Sequence, residues 1–76
     1  MPRLRKVSGK ECVRILCNRF GFSLIRQKGS HFVLSRHTEQ GKAVTVVPNH
    51  KELKPGTLKS ILKLAKVEEE LFSRYP

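Results

Sequence analysis

The residues best suited to chemistry in this chain are its three histidines, and His31 has the most informative surroundings. It follows Gly29 and Ser30 and precedes an apolar run that contains Phe32 and Leu34. Because side chains alternate across a strand, a core face formed by Phe32 and Leu34 places His31 on the opposite, solvent face. An imidazole takes and gives protons near neutrality. RNA cleavage needs such a group, since a base removes the 2′-hydroxyl proton and an acid protonates the leaving 5′-oxygen.

The two residues before His31 favour a functional interpretation over the simpler alternative of an ordinary surface histidine. Gly29 lets the backbone come close to a ligand, and Ser30 offers a hydroxyl group. Ser30 and His31 are neighbours on a predicted strand and therefore point to opposite faces. That arrangement argues against a Ser-His-acid triad.

The other two histidines have less distinctive surroundings. His50 lies two residues after Pro48, and it could be a second proton-transfer group, a phosphate contact or a cap for the next helix. A binding or structural role is favoured for it. His37 falls in a predicted polar loop without a motif. Zinc ligands come at short paired spacings or on a preformed scaffold, so three dispersed histidines predict no metal site.

The charge balance predicts a polyanionic partner. The chain has 16 Lys and Arg residues against 6 acids, a formal net charge of +10. Nucleic acid, an anionic membrane surface and an acidic protein all fit such a balance. The membrane is the weakest of the three, because the sequence has neither a bilayer-length apolar run nor a signal peptide.

The basic residues occur in clusters, and the clusters differ in how strongly they indicate phosphate binding. Arg26 and Lys28 flank the first predicted turn, near His31 in sequence, and are expected to contact phosphate. A later row of lysines at helical spacing fits a solvated helix face as well as it fits phosphate contact. Arg3, Arg5 and Lys6 form an N-terminal basic arm, and the later row is Lys59, Lys63 and Lys66.

Composition limits the size and the chemistry of the domain. The 76 residues suffice for one small domain, taken as 1–76, and 38% are hydrophobic with no Trp. A core that thin predicts no deep small-molecule site and no cofactor. Cys12 and Cys17 do not share a helical face, so a disulfide between them would strain the helix. Cys12 is expected to be a small buried hydrophobe, and free thiols suit a reducing cytoplasm.

The elements that must position these residues are a helix, three strands and a second helix. Ser8 and Glu11 form a capping box that begins a helix, and Gly21 supplies its left-handed stop. Short connections between successive strands predict an antiparallel meander. The result is an α+β domain in which both helices pack on one face of a three-stranded sheet and His31 lies on the other. The expected ranges are helix 8–20, strands 22–27, 30–36 and 43–47, turn 28–29, loop 37–42, a helix from residue 55 and a short helix within 68–75.

Lys10 through Leu62 resembles the HicA toxin family of bacterial and archaeal toxin–antitoxin pairs. The matching segments are Ser8-Gly9-Lys10-Glu11, Gly21-Phe22, Arg26-Gln27-Lys28-Gly29-Ser30-His31, Val47-Pro48-Asn49-His50 and Leu53-Lys54-Pro55-Gly56-Thr57-Leu58-Lys59-Ser60-Ile61-Leu62. Each segment is weak alone, and the ordered set is specific.

The resemblance implies a double-stranded-RNA-binding-like fold and an mRNA-cleaving toxin whose catalytic residue is His31. It also implies a HicB-like antitoxin that binds and masks the toxin. The RNA-binding residues expected beside His31 are Arg26, Lys28, Gly29 and Ser30. His50 is carried over as a motif residue that contacts RNA.

Three functions from different classes remain open from the sequence. The first is a metal-independent endoribonuclease toxin of a type II toxin–antitoxin pair, for which His31 is indispensable. The second is a small RNA-binding module that blocks message without cutting it, for which the basic residues matter and His31 does not. The third is an interaction protein whose basic face docks an acidic partner. A fold of this kind does not by itself imply catalysis.

Overall fold

The computed structural model describes residues 6–75, which form three helices and three strands. The strands make one antiparallel sheet in the order β1-β2-β3. This confirms the predicted α+β fold and its helix–three strands–helix order. Arg3 and Arg5 of the predicted arm lie outside the described residues. The elements are α1 Gly9–Arg19, β1 Ser23–Lys28, β2 His31–Thr38, β3 Gly41–Pro48, α2 Pro55–Ala65 and α3 Glu69–Ser73.

Helix α1 begins and ends at the predicted signals. The Ser8 hydroxyl accepts from the Glu11 amide at 3.0 Å, and the Glu11 carboxylate accepts from the Ser8 amide at 3.2 Å. These two bonds make the capping box and satisfy amides that a helix start otherwise leaves unpaired. At the other end Gly21 has φ 72°, a left-handed conformation that glycine adopts without steric cost.

The buried stripe of α1 differs in part from the predicted one. The sequence predicts a stripe of Cys12, Leu16 and Phe20 with Val13 beside it, and Cys12 and Leu16 are fully buried. Ile15, which that stripe leaves out, is buried as well, whereas Phe20 and Val13 lie only partly buried at the edge of the core. Positions three and four apart share a helix face, so Cys12, Ile15 and Leu16 form one contact surface.

The sheet has one covered face and one free face. On β2, Phe32 and Leu34 are buried while His31 is exposed, which confirms the predicted alternation. Helix α2 covers this side, and Thr45 of β3 donates its hydroxyl to the Ile61 carbonyl at 2.9 Å. That buried bond fixes α2 to the sheet. The helical spacing in the sequence predicts an apolar stripe of four residues on α2, and all four are buried: Leu58, Ile61, Leu62 and Ala65.

Both hairpin turns are placed differently from the prediction. The predicted loop 37–42 is wrong, because β2 continues to Thr38 and β3 starts at Gly41. Thr38 stabilises the two-residue turn between them: its hydroxyl donates to the Gly41 carbonyl at 2.7 Å and accepts from the Gln40 amide at 3.3 Å. The first turn is Gly29-Ser30 instead of Lys28-Gly29, so Ser30 does not belong to β2.

The described residues before α1 and after α2 also pack more closely than the sequence suggests. The sequence predicts a flexible basic arm over residues 1–7, but Val7 is buried, and its carbonyl accepts from the Leu53 amide at 2.8 Å. The short terminal helix α3 is present and buries Phe72, whereas Leu71 is 40% exposed. Phe22 precedes β1 and packs in the core instead of starting the strand.

Arg36 on β2 connects the carboxyl ends of two helices. One guanidinium nitrogen donates to the Phe20 carbonyl at 2.9 Å, and another lies 3.4 Å from the carbonyls of Ala65 and Lys66. The group also lies over the Phe22 ring at 5.0 Å from its centroid. A cation is favourable at helix carboxyl ends, where carbonyls are unpaired and the dipole is negative.

We expect Arg36→Lys to lower the free energy of unfolding by at least about 1.5 kcal/mol, because a lysine retains the charge and loses the planar fork that reaches both helix ends. The measurement is urea-induced unfolding. Arg26→Lys on the exposed strand β1 is the matched control and should change stability by less than about 0.5 kcal/mol. Equal effects from the two variants would show that Arg36 does not connect the helices in solution.

Candidate functional site

The free face of the sheet combines an apolar strip with basic residues. Val33 of β2 pairs with Val46 of β3, and directly paired residues of an antiparallel sheet share a face. Val46 and Val44 are each 41% exposed. These valines form the apolar part of the free face, and the basic residues beside them come from β1.

His31 lies at one end of this face, beside the first hairpin turn. It is exposed, and its Cα partners are Lys28 on one side and Pro48 on the other. Lys28 therefore shares the free face with His31. Gly29 has φ 58°, which lets the chain reverse in two residues and brings Lys28 opposite His31. The structure thus brings together His31, Lys28, Gly29 and Ser30, as the sequence predicts.

A β-bulge in β1 places Arg26 on the same face. The pairing register shifts between Leu24 and Arg26, so Ile25 is the extra residue. Arg26 pairs with Val33, and Leu24 pairs with Leu34 on the helix side. A bulge resets the alternation of side chains along one strand. The free face therefore carries Arg26 and Lys28, while Leu24 stays toward the core side.

His37 also lies on the free face, which corrects its assignment to a background loop. It is exposed, six residues beyond His31 on β2, and it pairs with Lys42. An even separation along a strand keeps the two side chains on one face. His37 is therefore at the far end of the surface that carries His31. Recognition of Glu39-Gln40 as a two-residue turn between Thr38 and Gly41 would have placed His37 in the strand.

His50 lies in a pocket around the end of the sheet and not on the free face. The pocket is about 330 Å³ in volume and does not include His31 among its lining residues. Its lining residues are Ser8, Lys10, Asn49, His50 and Lys51. Sequence reasoning missed Lys10, Asn49 and Lys51, because the approach of α1 to the end of β3 is a tertiary contact.

Gly9 is the residue that allows this approach. Its amide donates to the His50 carbonyl at 2.8 Å. A Cβ at this position would collide with the Pro48 carbonyl oxygen and lie 3.1 Å from the Cα of Asn49. The Asn49 amide in turn donates to the Ser30 carbonyl at 2.6 Å. The start of α1, the loop after β3 and the hairpin beside His31 are therefore one connected unit.

The described residues give little support for metal, thiol or membrane chemistry. Within 6–75 there is no group of three His, Cys, Asp or Glu residues arranged to hold a metal ion. Cys12 and Cys17 are free thiols, and burial raises the pKa of the Cys12 thiol to about 12. A thiol of that kind stays protonated and is a poor nucleophile. No helix within that range has the length and apolar character needed to cross a bilayer.

The family comparison agrees with the motifs around this site. Residues 9–67 match the family model described as the HicA toxin of bacterial toxin-antitoxin. The chain belongs to the HicA toxin family. No curated protein and no solved structure gives a significant match to it.

The matched segment of this HicA toxin contains every residue of the candidate site apart from Ser8. It runs from the start of α1 to just beyond α2, so it includes His31, the free face and the other residues that line the pocket around His50. Helix α3 lies after it. The family match therefore covers the part of the chain that forms the free face and the hairpin.

We expect Gly9→Ala to destabilise this HicA toxin and Gly56→Ala not to. At Gly9 the added methyl group has to displace the loop after β3, which should cost about 1–3 kcal/mol. At Gly56 in α2 a Cβ meets nothing within 4 Å, so alanine should be neutral or stabilise by up to about 1 kcal/mol.

Urea-induced unfolding gives both values, and amide NMR shifts of Asn49 and His50 report whether the loop moves. Shifts at those residues are expected in the Gly9 variant alone. A Gly9→Ala protein with unchanged stability and an unmoved loop would contradict the contact.

Proposed function

We propose that this HicA toxin is a metal-independent endoribonuclease that cleaves mRNA, with His31 as its general acid or base. The observation that carries the proposal is the position of His31, exposed beside Lys28 on the face that the described helices leave uncovered. A strand bonded on both sides holds an imidazole more firmly than a loop would. An extended RNA chain can reach this face without entering a cavity.

The proposed reaction uses the 2′-hydroxyl of the RNA as the nucleophile. A base takes its proton, the oxygen attacks the adjacent phosphorus, and the bond to the 5′-oxygen breaks as an acid gives that oxygen a proton. The products are a 2′,3′-cyclic phosphate and a 5′-hydroxyl. His31 supplies one of these proton transfers, and the Lys28 ammonium beside it stabilises charge that develops on the phosphoryl oxygens.

The remaining residues of the free face fit a role in RNA binding. Arg26 offers a planar fork that suits phosphate, and Gly29 lets the turn backbone come close to the ligand. The Ser30 hydroxyl can bond to a phosphate or a ribose. The valine strip of Val33, Val44 and Val46 offers apolar contact to ribose and base faces. These residues lie on one side of the sheet or in the turn at its end, so a single strand can touch all of them.

A HicB-like antitoxin is the proposed protein partner. Neutralisation requires that RNA be kept from His31, and the simplest way is to cover the free face. A partner that presents acidic residues to Arg26 and Lys28, and apolar residues to Val44 and Val46, matches that face in charge and hydrophobicity.

A non-catalytic RNA-binding module is the second candidate function. It is favoured by one observation: His50, the other motif histidine, lines a pocket that does not include His31. The geometry therefore does not supply a second imidazole beside the first. In this alternative the basic residues act alone, and His31 is a surface residue without a chemical role.

We expect His31→Ala to reduce RNA cleavage by about 10²–10⁴-fold, the usual contribution of a general acid or base. The measurement is cleavage of a labelled RNA by purified protein with excess chelator present. His37→Ala is the matched control, because His37 is exposed on the same strand and the same face. It should keep nearly full activity.

Three outcomes would change the proposal. Loss of cleavage in chelator by the unmodified protein contradicts metal independence. Equal cleavage by the His31 variant and the parent moves the catalytic role elsewhere, and His50→Ala is then the next variant. Retained RNA binding without cleavage by the parent protein favours the binding module.

A further inference from the structure

The pocket around His50 is a second feature that the proposed reaction does not use. We infer that this pocket is a phosphate-binding subsite, which holds a backbone phosphate of the same RNA strand next to the one at His31. The inference rests on the proposed function for the identity of the ligand, since RNA supplies the phosphate.

Two separate parts of the chain bring positive charge to the pocket. Lys10 comes from the first turn of α1, and Lys51 from the loop after β3. Asn49 and His50 belong to the same lining. Two lysines together with an asparagine and a histidine make a set of residues that suits a phosphate. No carboxylate belongs to the lining.

The side chains of the pocket are available for a ligand. Within residues 6–75, the structure shows no hydrogen bond or ion pair from the side chains of Lys10, Asn49, His50 or Lys51. The helix backbone is already used: the Gly9 amide bonds to the His50 carbonyl, and the Glu11 amide bonds to Ser8. The inference therefore stands on the residues that line the pocket together, from α1 and from the loop after β3, and not on the helix start.

The acidic residues next to Lys10 and Lys51 in sequence are Glu11 and Glu52. The Glu11 carboxylate accepts from the Ser8 amide at 3.2 Å, so it is turned into the capping box. Glu52 follows Lys51 in sequence and is exposed. Neither carboxylate belongs to the lining of the pocket. Lys10 and Lys51 therefore give the pocket the positive charge that an anion requires.

The pocket and His31 are neighbours held by the backbone. Pro48 pairs with His31, and the next residue, Asn49, donates its amide to the Ser30 carbonyl at 2.6 Å. The loop that lines the pocket is therefore bonded to the hairpin that carries His31. An RNA strand that passes over the end of the sheet can place one phosphate at His31 and a neighbouring phosphate in the pocket. Such a strand is bound in a fixed register.

The test compares two double variants that each remove two positive charges. Lys10→Gln with Lys51→Gln changes the pocket, and Lys59→Gln with Lys63→Gln changes the exposed face of α2. The probe is a fluorescent single-stranded RNA with 2′-O-methyl groups, which cannot be cut by the proposed reaction. Its Kd is measured by anisotropy over a range of salt concentrations.

The pocket variant should bind about tenfold or more weakly. The slope of log K against log salt should become shallower by about 0.7 for each phosphate of the single strand that the variant no longer neutralises. The α2 variant should change both quantities much less. Equal changes in the two variants would overturn the inference, because they would show that only net charge matters.

Inorganic phosphate provides a test without RNA. Titration of the unmodified protein should shift the amide NMR signals of Lys10, Asn49 and Lys51 in a saturable way, and the pocket variant should show no such shifts. Shifts that spread evenly over the basic surface, or no shifts, would count against a built site.

The outcomes separate this inference from the proposed catalysis. If the pocket variant binds RNA like the α2 variant while His31→Ala abolishes cleavage, the subsite is wrong and the catalytic proposal stands. If the pocket variant binds weakly while His31→Ala still cleaves, the subsite stands and the catalytic role of His31 is wrong.

Discussion

The close contact of Gly9 with the end of β3 is the constraint on which the candidate site depends. Only a residue without a Cβ lets the start of α1 approach Pro48 and Asn49. That contact holds the loop after β3 in place, and the loop is bonded through Asn49 to the hairpin turn at Ser30. The position of the hairpin relative to the start of α1 thus follows from one missing methyl group. At the other end of these helices, Arg36 holds them to the sheet by donating hydrogen bonds to the carboxyl ends of α1 and α2.

Between these two contacts, the helices lie on one face of the sheet and leave the other face open. Each helix has one apolar stripe to bury, so a three-stranded sheet is covered on one side only. The free face then carries Arg26, Lys28 and the valine strip, and a net charge of +10 makes anionic partners the expected ones. In the proposed function, RNA and antitoxin compete for this same face, and covering the face is how the antitoxin neutralises the toxin.

Much of the fold could be predicted from local signals in the sequence. The capping box at Ser8 and the stop at Gly21 are short-range patterns with a direct physical cause, and the alternation around His31 placed it on the free face. The turns were less predictable. Gly29 was recognised as a turn residue, but the exact residue at which each strand ends depends on the pairing register of the strands. Because the second turn was predicted too long, His37 was assigned to a loop instead of to the free face of the sheet.

Tertiary contacts account for the rest. Arg36 has no local sequence signal for its role, because its partners are carbonyls far away in sequence. The bulge at Ile25 and the pocket between Lys10 and Lys51 likewise need two elements to be in place before either can be recognised. Lys28 and His31 were close in sequence, so their meeting on one face could be predicted.

The central claim is that this face directs the RNA 2′-hydroxyl against its own phosphate. The most direct test is mass spectrometry of the RNA ends produced by the purified protein in chelator, with a second substrate that has a single 2′-deoxy nucleotide at the cleaved position. The account predicts 2′,3′-cyclic phosphate and 5′-hydroxyl ends from RNA, and no cleavage at the deoxy position. Ends bearing a 5′-phosphate and a 3′-hydroxyl, or cleavage at the deoxy position, would contradict it.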